Sequence, residues 1–119
     1  MGKHNEFGKE GEEIAVAHLI EKGYEVIGRN YRFLQGEIDI IAQKKGLLAM
    51  VEVRARSNDK VIRIADTVTK KKISLLVMVA DRYVTERNLD VEVRFDIIAI
   101  LKNKRVFSVE HIEGAFYHF

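Results

Sequence analysis

Residues 36–41 read GEIDII and residues 50–56 read MVEVRAR, and both segments carry charged residues on a two-residue spacing within an apolar run. Side chains two positions apart point to the same face of a β-strand, so Glu37 and Asp39 are expected to project together. A strand that only contributes to a core has no need of this spacing. The second segment places three charged residues on one face by the same rule: Glu52, Arg54 and Arg56.

The connection between the two segments is short, and it determines whether their carboxylates meet. Residues 43–46 read QKKG, so Lys45 and Gly46 are available as a two-residue hairpin loop. With that loop, Asp39 stands opposite Glu52 on the same face of the sheet, with the side chains roughly 5 Å apart. A slip of one residue would separate them onto opposite faces. Two facing carboxylates repel each other, so the arrangement calls for a nearby cation.

Length and composition predict one globular domain spanning residues 1–119, because 47% of the chain is apolar and 32% is charged. The absence of cysteine excludes disulfides, zinc–thiolate centres and cysteine nucleophiles, and it is compatible with a cytoplasmic location. The sequence shows neither a signal-peptide pattern nor an apolar run of membrane-spanning length, so we expect no membrane partner. The net charge is only +2, so any case for DNA binding depends on local basic patches.

Hydrophobic periodicity predicts seven elements in the order α, β, β, β, α, β, β. Gly23 is a suitable C-cap for the first helix. Strands framed by helices indicate an α/β protein in which a mixed sheet lies between helices. The predicted elements are a helix over residues 8–22, strands over 24–32, 37–42 and 47–55, a helix over 64–84, and strands over 91–101 and 106–111.

One charged residue on each helix stands where a core residue belongs. In the first helix, the apolar stripe that includes Leu19 leads back to Glu12, which therefore leans toward the sheet. In the second helix, the stripe that includes Leu75 and Val79 leads back to Lys72 in the same way. Purely structural roles remain open for both: Lys72 can extend past the end of its stripe into water, and Glu12 can complement the helix dipole.

These residues form the chemical inventory of a magnesium-dependent phosphodiesterase. Mg²⁺ prefers oxygen ligands, commonly one or two carboxylates with waters and phosphate oxygens. Asp39 and Glu52 are the predicted carboxylate ligands of Mg²⁺ or Mn²⁺, and the backbone carbonyl of Val53 is a third candidate oxygen. A metal ion at this place lowers the pKa of a bound water and neutralises charge on the phosphate, while a nearby cation holds the scissile phosphate.

Five motifs follow one another along the chain: Gly8-x-x-x-Glu12-x-x-Ala15, GEIDIIA at residues 36–42, Val51-Glu52-Val53-Arg54-x-Arg56, Lys72, and Arg94-Phe95-Asp96. In this order they resemble the YraN-type family of small bacterial proteins. That family is assigned to the restriction-endonuclease-like, PD-(D/E)xK fold. The chain is also similar to the archaeal Holliday junction resolvases, and the resemblance covers nearly its whole length.

The resemblance implies a role for each of four site residues. Asp39 corresponds to the metal-binding Asp of the nuclease pattern, Glu52 to the acidic member of its (D/E)xK half, and Glu12 to the helix-one Glu of the resolvases. Arg54 falls on the Lys position of the pattern. An arginine stays protonated and cannot act as a general base, so the expected role of Arg54 is to bind the phosphate or the charge of the transition state.

The remaining charged residues have more than one interpretation. Lys70 and Lys71 form either a solvated helix face or phosphate contacts. Glu37 either supports the metal ligands or is an exposed residue at the start of its strand. Arg94 and Asp96 are predicted to form a structural ion pair, and His18 a partly buried or surface residue. The candidate nucleic-acid contacts are Arg54, Arg56, Arg63, Lys70, Lys71 and Lys72.

The sequence therefore predicts a single restriction-endonuclease-like domain that acts as a Mg²⁺-dependent nuclease on DNA, including branched or damaged DNA. The predicted catalytic residues are Glu12, Asp39, Glu52 and Arg54. The resolvase resemblance implies a homodimer, because a four-way junction has two symmetric cleavage points. Two alternatives remain: a nucleic-acid-binding module that kept the fold without catalysis, and a protein-interaction domain that does not bind DNA.

Overall fold

The computed structural model describes the backbone of residues 2–57 and 68–116 and the side chains of residues 8–56 and 68–116. Its seven elements follow the predicted order of one helix, three strands, one helix and two strands. They are α1 (Gly2–Glu21), β1 (Glu25–Phe33), β2 (Gly36–Lys44), β3 (Leu47–Ser57), α2 (Lys70–Glu86), β4 (Glu92–Asn103) and β5 (Val106–Phe116).

The five strands form one sheet in which each strand neighbours the next strand of the chain. β3 and β4 run parallel, and all other neighbours run antiparallel, so the sheet is mixed as predicted. α2 connects the parallel pair and provides the crossover that parallel strands require. The architecture is an α/β fold consistent with the restriction-endonuclease-like class, which confirms the predicted fold class.

The two helices cover opposite faces of the sheet and create a core on each face. Burial of these apolar side chains is the main favourable contribution to the stability of the fold. On the first face, α1 packs Ala15 and Leu19 against Ile40, Val51 and Ile98. On the second face, α2 packs Leu76, Val79 and Tyr83 against Ile41, Met50 and Phe95.

The predicted start of the second helix is wrong. Val68 and Thr69 are not helical, and α2 begins at Lys70. Thr69 is the N-cap of α2, because its hydroxyl accepts a hydrogen bond from the backbone N–H of Lys72 at 3.1 Å. Residues 64–67, which were also predicted as helical, lie outside the described residues. Within the described part of the chain, neither helix is long and apolar enough to cross a membrane.

The hairpin between β2 and β3 confirms the predicted loop. Lys45 and Gly46 form the two-residue connection, and both have positive φ values, 49° and 78°. Positive φ at both positions is the requirement of a type I′ turn, which matches the twist of the flanking strands. Lys44 pairs with Leu47 next to the turn, and the pairing continues to Ile40 with Val51. This is the register that the sequence predicted.

α2 approaches β2 closely at Gly36. A Cβ atom built on Gly36 would overlap the Cγ2 of Val79 and would lie only 3.0 Å from the carbonyl oxygen of Leu75. The missing side chain therefore allows the helix to pack on the strand. Lys72 lies one turn before Leu75 on the same helix, so this contact also determines where Lys72 stands over the sheet.

Candidate active site

Asp39 and Glu52 meet where β2 and β3 begin to separate. The last paired residues of the hairpin are Ile40 and Val51, so the same register brings position 39 opposite position 52. The carboxylate of Asp39 accepts the backbone N–H of Val53 at 2.8 Å, and Glu52 is only 5% exposed. The structure thus brings the two predicted carboxylates together in a largely buried position.

The alternation of β2 breaks at Asp39. Ile38 packs in the core under α2, whereas Ile40 packs in the core under α1, although residues two apart in a regular strand share a face. On β1 the residue opposite Asp39 is Asn30, whose φ of 52° is uncommon outside glycine. The alternation rule that grouped Glu37 with Asp39 in the sequence therefore does not hold across this break.

Burial and the nearby Glu52 carboxylate raise the pKa of Asp39 to about 7. The hydrogen bond from the Val53 N–H acts in the opposite direction, but it does not compensate for the loss of water and the like charge. The charge of Glu37 adds a smaller increase. Asp39 is therefore partly protonated near neutral pH, and a bound cation would displace this proton.

Two cationic side chains reach Glu52 from different elements. The guanidinium of Arg54 lies 3.0 Å from Glu52 Oε2, and the Nζ of Lys72 lies 3.6 Å from the same oxygen. Arg54 is two residues further along β3, whereas Lys72 enters from the first turn of α2. Both cations contact Glu52, and the long helix contributes one of them.

The donor set at this place fits a hard divalent cation. Asp39 and Glu52 supply carboxylate oxygens, and magnesium sites typically use one or two protein carboxylates. Burial and the neighbouring Glu52 carboxylate raise the pKa of Asp39, so a cation bound beside Asp39 would favour its ionised form. No group of three or more Asp, Glu, His or Cys side chains converges anywhere in residues 8–56 and 68–116. The protein's contribution to a metal would therefore be these two carboxylates and any backbone oxygen.

Glu12 leans toward the sheet as predicted, and its carboxylate contacts β1. It accepts hydrogen bonds from the Arg29 guanidinium at 3.0 and 3.2 Å and from the Asn30 side-chain amide at 3.0 Å. Arg29 also binds Glu13 at 2.6 Å. Because Asn30 stands opposite Asp39 on the neighbouring strand, Glu12 is linked to the Asp39 strand through one residue. Participation of Glu12 in catalysis stays a prediction.

The other predicted site residues lie around this centre. Glu37 pairs with Arg32 across the β1–β2 hairpin, with 3.3 Å between the charged groups. Arg56 is exposed, and its guanidinium donates to the carbonyl of Ala55 at 2.9 Å. The exposed residues Lys70 and Lys71 open the first turn of α2. Arg63 lies outside the described residues.

A second polar cluster lies on the opposite, α1-covered face, and sequence reasoning found only part of it. Asp96 is fully buried, and its carboxylate binds the Arg94 guanidinium at 2.7 and 2.8 Å, which confirms the predicted ion pair. The Nε2–H of His111 donates to the same carboxylate at 2.8 Å, and the other ring nitrogen of His111 lies 3.2 Å from the Nε2 of His18. Contacts between residues so distant in sequence leave no local signal. The one indication in the sequence was Asp96, a charged residue within an apolar strand.

Comparison with known proteins gives a consistent family assignment without an activity. A sequence model described as "Uncharacterised protein family UPF0102" matches residues 11–100. The chain is 47% identical to a UPF0102 protein of Flavobacterium psychrophilum and 49% identical to one of Christiangramia forsetii, with 100% of both chains covered in each case. It is 45% identical to a UPF0102 protein of Phocaeicola vulgatus over 98% of this chain and 97% of the relative.

Proposed function

This chain belongs to the uncharacterised protein family UPF0102, which is the YraN-type family that its motifs resemble, and we propose that it is a metal-dependent nuclease that hydrolyses phosphodiester bonds in DNA. The family description names no reaction, so the proposal rests on the chemistry of the site. The observation that carries it is the buried pairing of Asp39 with Glu52, which raises the pKa of Asp39 to about 7.

The energetics of this pair favour a metal site over a purely structural one. Two carboxylates brought together away from water destabilise each other, and the sheet would be more stable with apolar residues at both positions. Strained or electrostatically unfavourable groups of this kind concentrate at functional sites. Mg²⁺ or Mn²⁺ held by Asp39 and Glu52, with the carbonyl of Val53 as a further oxygen, would take the place of the retained proton.

The bound metal would supply Lewis-acid stabilisation of the phosphate and a water of lowered pKa. The residues of the chain have separate tasks. The Val53 N–H fixes the orientation of the Asp39 carboxylate through its 2.8 Å hydrogen bond. Burial keeps bulk water away from Glu52, which strengthens every charge interaction in the site.

Arg54 and Lys72 are the groups that would bind the scissile phosphate. Arg54 carries a permanent charge, and its buried Nε–H has no hydrogen-bond partner among the described residues. A phosphate oxygen would satisfy this donor. Lys72 is partly exposed, and its 3.6 Å separation from Glu52 is loose enough for its ammonium to turn to a substrate anion. It also stands in the first turn of α2, where the helix dipole favours negative charge.

DNA as the substrate follows from the surroundings of the site and from the resolvase resemblance. Lys70 and Lys71 are exposed in the same turn of α2 as Lys72, and Arg56 is exposed two residues after Arg54 on β3. All three would contact neighbouring backbone phosphates. The resemblance to Holliday junction resolvases favours branched DNA, a homodimer and action in the cytoplasm. These are parts of the proposal, and Glu12 would assist through a water or directly.

The test is cleavage of labelled four-way, flapped and single-stranded DNA with Mg²⁺ or Mn²⁺. We expect cutting by the wild type, and Asp39→Asn and Glu52→Gln should each lower the rate by about 10²-fold or more, as loss of a metal ligand does. Asp90→Asn is the matched control, because Asp90 is exposed and lies in the loop before β4. Cutting that survives both site substitutions would assign the activity to a contaminant and contradict the proposal.

A nucleic-acid-binding module without catalysis is the second candidate, and one observation favours it. Arg54 and Lys72 already compensate Glu52 within the protein, so a metal is not needed for charge balance at that residue. A binding module predicts salt-dependent DNA retention that Mg²⁺ does not alter and that Asp39→Asn leaves unchanged or strengthens. The nuclease predicts instead that metal changes DNA binding in the wild type and not in Asp39→Asn.

A further inference from the structure

A second concave surface lies between α2 and the β4–β5 end of the sheet. α2 packs mainly on β2 and β1, and β5 is the last strand, so this part of the α2-side face is left open. The groove has a volume of about 590 Å³, which is within the range of ligand and peptide sites. Its apolar wall consists of Val77, Ala80, Val84, Val93, Phe95 and Phe116.

The rim of this groove is acidic, although the whole chain carries a net charge of +2. Three acidic residues line it, Asp81, Glu92 and Glu113, against one cationic residue, Arg94. Asp81 and Glu92 are exposed and form no ion pair or side-chain hydrogen bond within the described part of the chain. Glu113 pairs with Arg94 at 3.2 Å, but that guanidinium is already bound to Asp96. An occupant of the groove should therefore combine an apolar side chain with positive charge.

The turn between β4 and β5 has this combination. Lys104 and Arg105 are exposed and form no ion pair within the described residues. Val106 follows them directly and is 68% exposed, one of the most exposed large apolar side chains in the described part of the protein. Asn103 pairs with Val106 across the turn, and Lys104 adopts a φ of 61° within it.

The turn and the groove lie at opposite ends of the same two strands. Asn103 pairs with Val106 at the turn, and Phe95 pairs with Phe116 at the groove, eight residues away along β4. The separation is about 26 Å at 3.3 Å per residue. A two-fold axis that lies outside the molecule, level with the middle of this hairpin and perpendicular to its strands, can bring the turn of each copy to the groove of the other.

We propose that two copies of this chain associate through these surfaces, with the turn Lys104-Arg105-Val106 of each copy seated in the groove of the other. Val106 enters the apolar wall, and Lys104 and Arg105 face Asp81 and Glu92. The contact is made twice in the dimer because of its symmetry. The proposal does not depend on nuclease activity, since none of these residues belongs to the Asp39–Glu52 site.

The test uses sedimentation equilibrium of the full-length chain over a range of protein and salt concentrations. The wild type should form a dimer that weakens as salt rises, because the contact is charge-assisted. Two variants reverse one side each: Lys104→Glu with Arg105→Glu on the turn, and Asp81→Lys with Glu92→Lys on the groove. Either one should raise the dissociation constant by at least about tenfold, because like charges would then face each other twice.

Mixing the two variants is the decisive step. In the mixed pair, each reversed turn meets a reversed groove and each native turn meets a native groove, so the dimer should re-form. Glu10→Lys, on the exposed side of α1, and Lys22→Glu, in the exposed turn directly after α1, are matched controls and should dimerise like the wild type. A wild type that stays monomeric at all concentrations overturns the proposal. So does a dimer that survives both reversals, or a mixture that stays monomeric.

Discussion

Asp39 links the stability of the protein to pH at the scale of a single residue. Its pKa is raised from 3.8 to about 7, so the folded protein holds this proton more tightly than the unfolded chain does. The stabilising contribution is complete below a pH of about 4 and is lost as the pH rises through 7. Asp39→Asn removes this dependence. We expect the variant to gain stability relative to the wild type at pH 8 but not at pH 4, as measured by urea denaturation without divalent metal.

The metal supplies the control for this prediction. The proposed Mg²⁺ or Mn²⁺ would bind the deprotonated pair, so adding either ion at pH 8 should stabilise the wild type and leave Asp39→Asn unchanged. Asp90→Asn should follow the wild type at both pH values. Equal pH dependence of the wild type and Asp39→Asn would show that Asp39 ionises normally in the folded protein.

Asp96 shows the opposite behaviour of a buried carboxylate. Burial acts to raise its pKa, but the hydrogen bonds from His111, Arg94 and the Gly114 N–H outweigh burial and leave the pKa below its usual value. Asp96 therefore contributes stability at neutral pH that is lost as the pH falls through its folded-state pKa. The two faces of the sheet thus hold carboxylates in contrasting states. Asp96 is paired with Arg94 and His111, whereas Asp39 is buried beside a second carboxylate.

At the scale of elements, the close packing of α2 on β2 has a direct test at Gly36. Gly36→Ala places a Cβ against Val79 and the backbone of Leu75, so we expect a loss of about 1–3 kcal/mol in the free energy of unfolding. The measurement is chemical denaturation. Because α2 carries Lys72, the variant should also lower any DNA affinity that depends on this residue.

Gly8→Ala is the matched control for this substitution. A Cβ at Gly8 meets nothing within 4 Å, and Gly8 lies inside α1, where alanine is the better helix former. It should leave the free energy of unfolding unchanged or raise it by up to about 1 kcal/mol. Similar losses for both variants would mean that the Gly36 contact does not limit how α2 packs.

At the scale of the whole molecule, the Asp96 cluster joins the first and last parts of the chain. Arg94 also donates to the hydroxyl of Tyr24 at 2.5 Å, at the junction of α1 and β1, and His111 on β5 reaches His18 on α1. Asp96→Asn removes the charge that compensates Arg94. We expect it to cost roughly 3 kcal/mol in the free energy of unfolding, as measured by thermal and chemical denaturation.

Glu113→Gln tests whether that cost comes from the buried charge. Glu113 also pairs with Arg94, but its side chain is 59% exposed, so its loss should cost less than about 1 kcal/mol. If both substitutions cost the same, the cluster contributes through general surface electrostatics and not through a buried ion pair. The ratio of the two losses in the free energy of unfolding therefore distinguishes a buried ion pair from surface electrostatics.

Local chemistry in the sequence was sufficient for several features. The order of helices and strands, the Lys45-Gly46 turn and the register of Asp39 with Glu52 all depend on residues near one another in the chain. Periodicity predicted too early a start for the second helix, because the apolar pattern begins before Thr69. The hydroxyl of Thr69 caps the N-terminus of α2, so the helix begins at Lys70 whatever the apolar pattern before it.

Only the tertiary structure decided which charges meet. Lys72 and Arg54 converge on Glu52, Glu12 is engaged by Arg29 and Asn30, and Asp96 is enclosed by Arg94 and His111. Most of these contacts join residues from different elements, so their geometry depends on how helices and strands pack. The hydrogen bond that Asp39 accepts from the Val53 N–H at the strand break also joins two neighbouring strands. Short-range propensities determine the elements, and long-range packing determines the electrostatics.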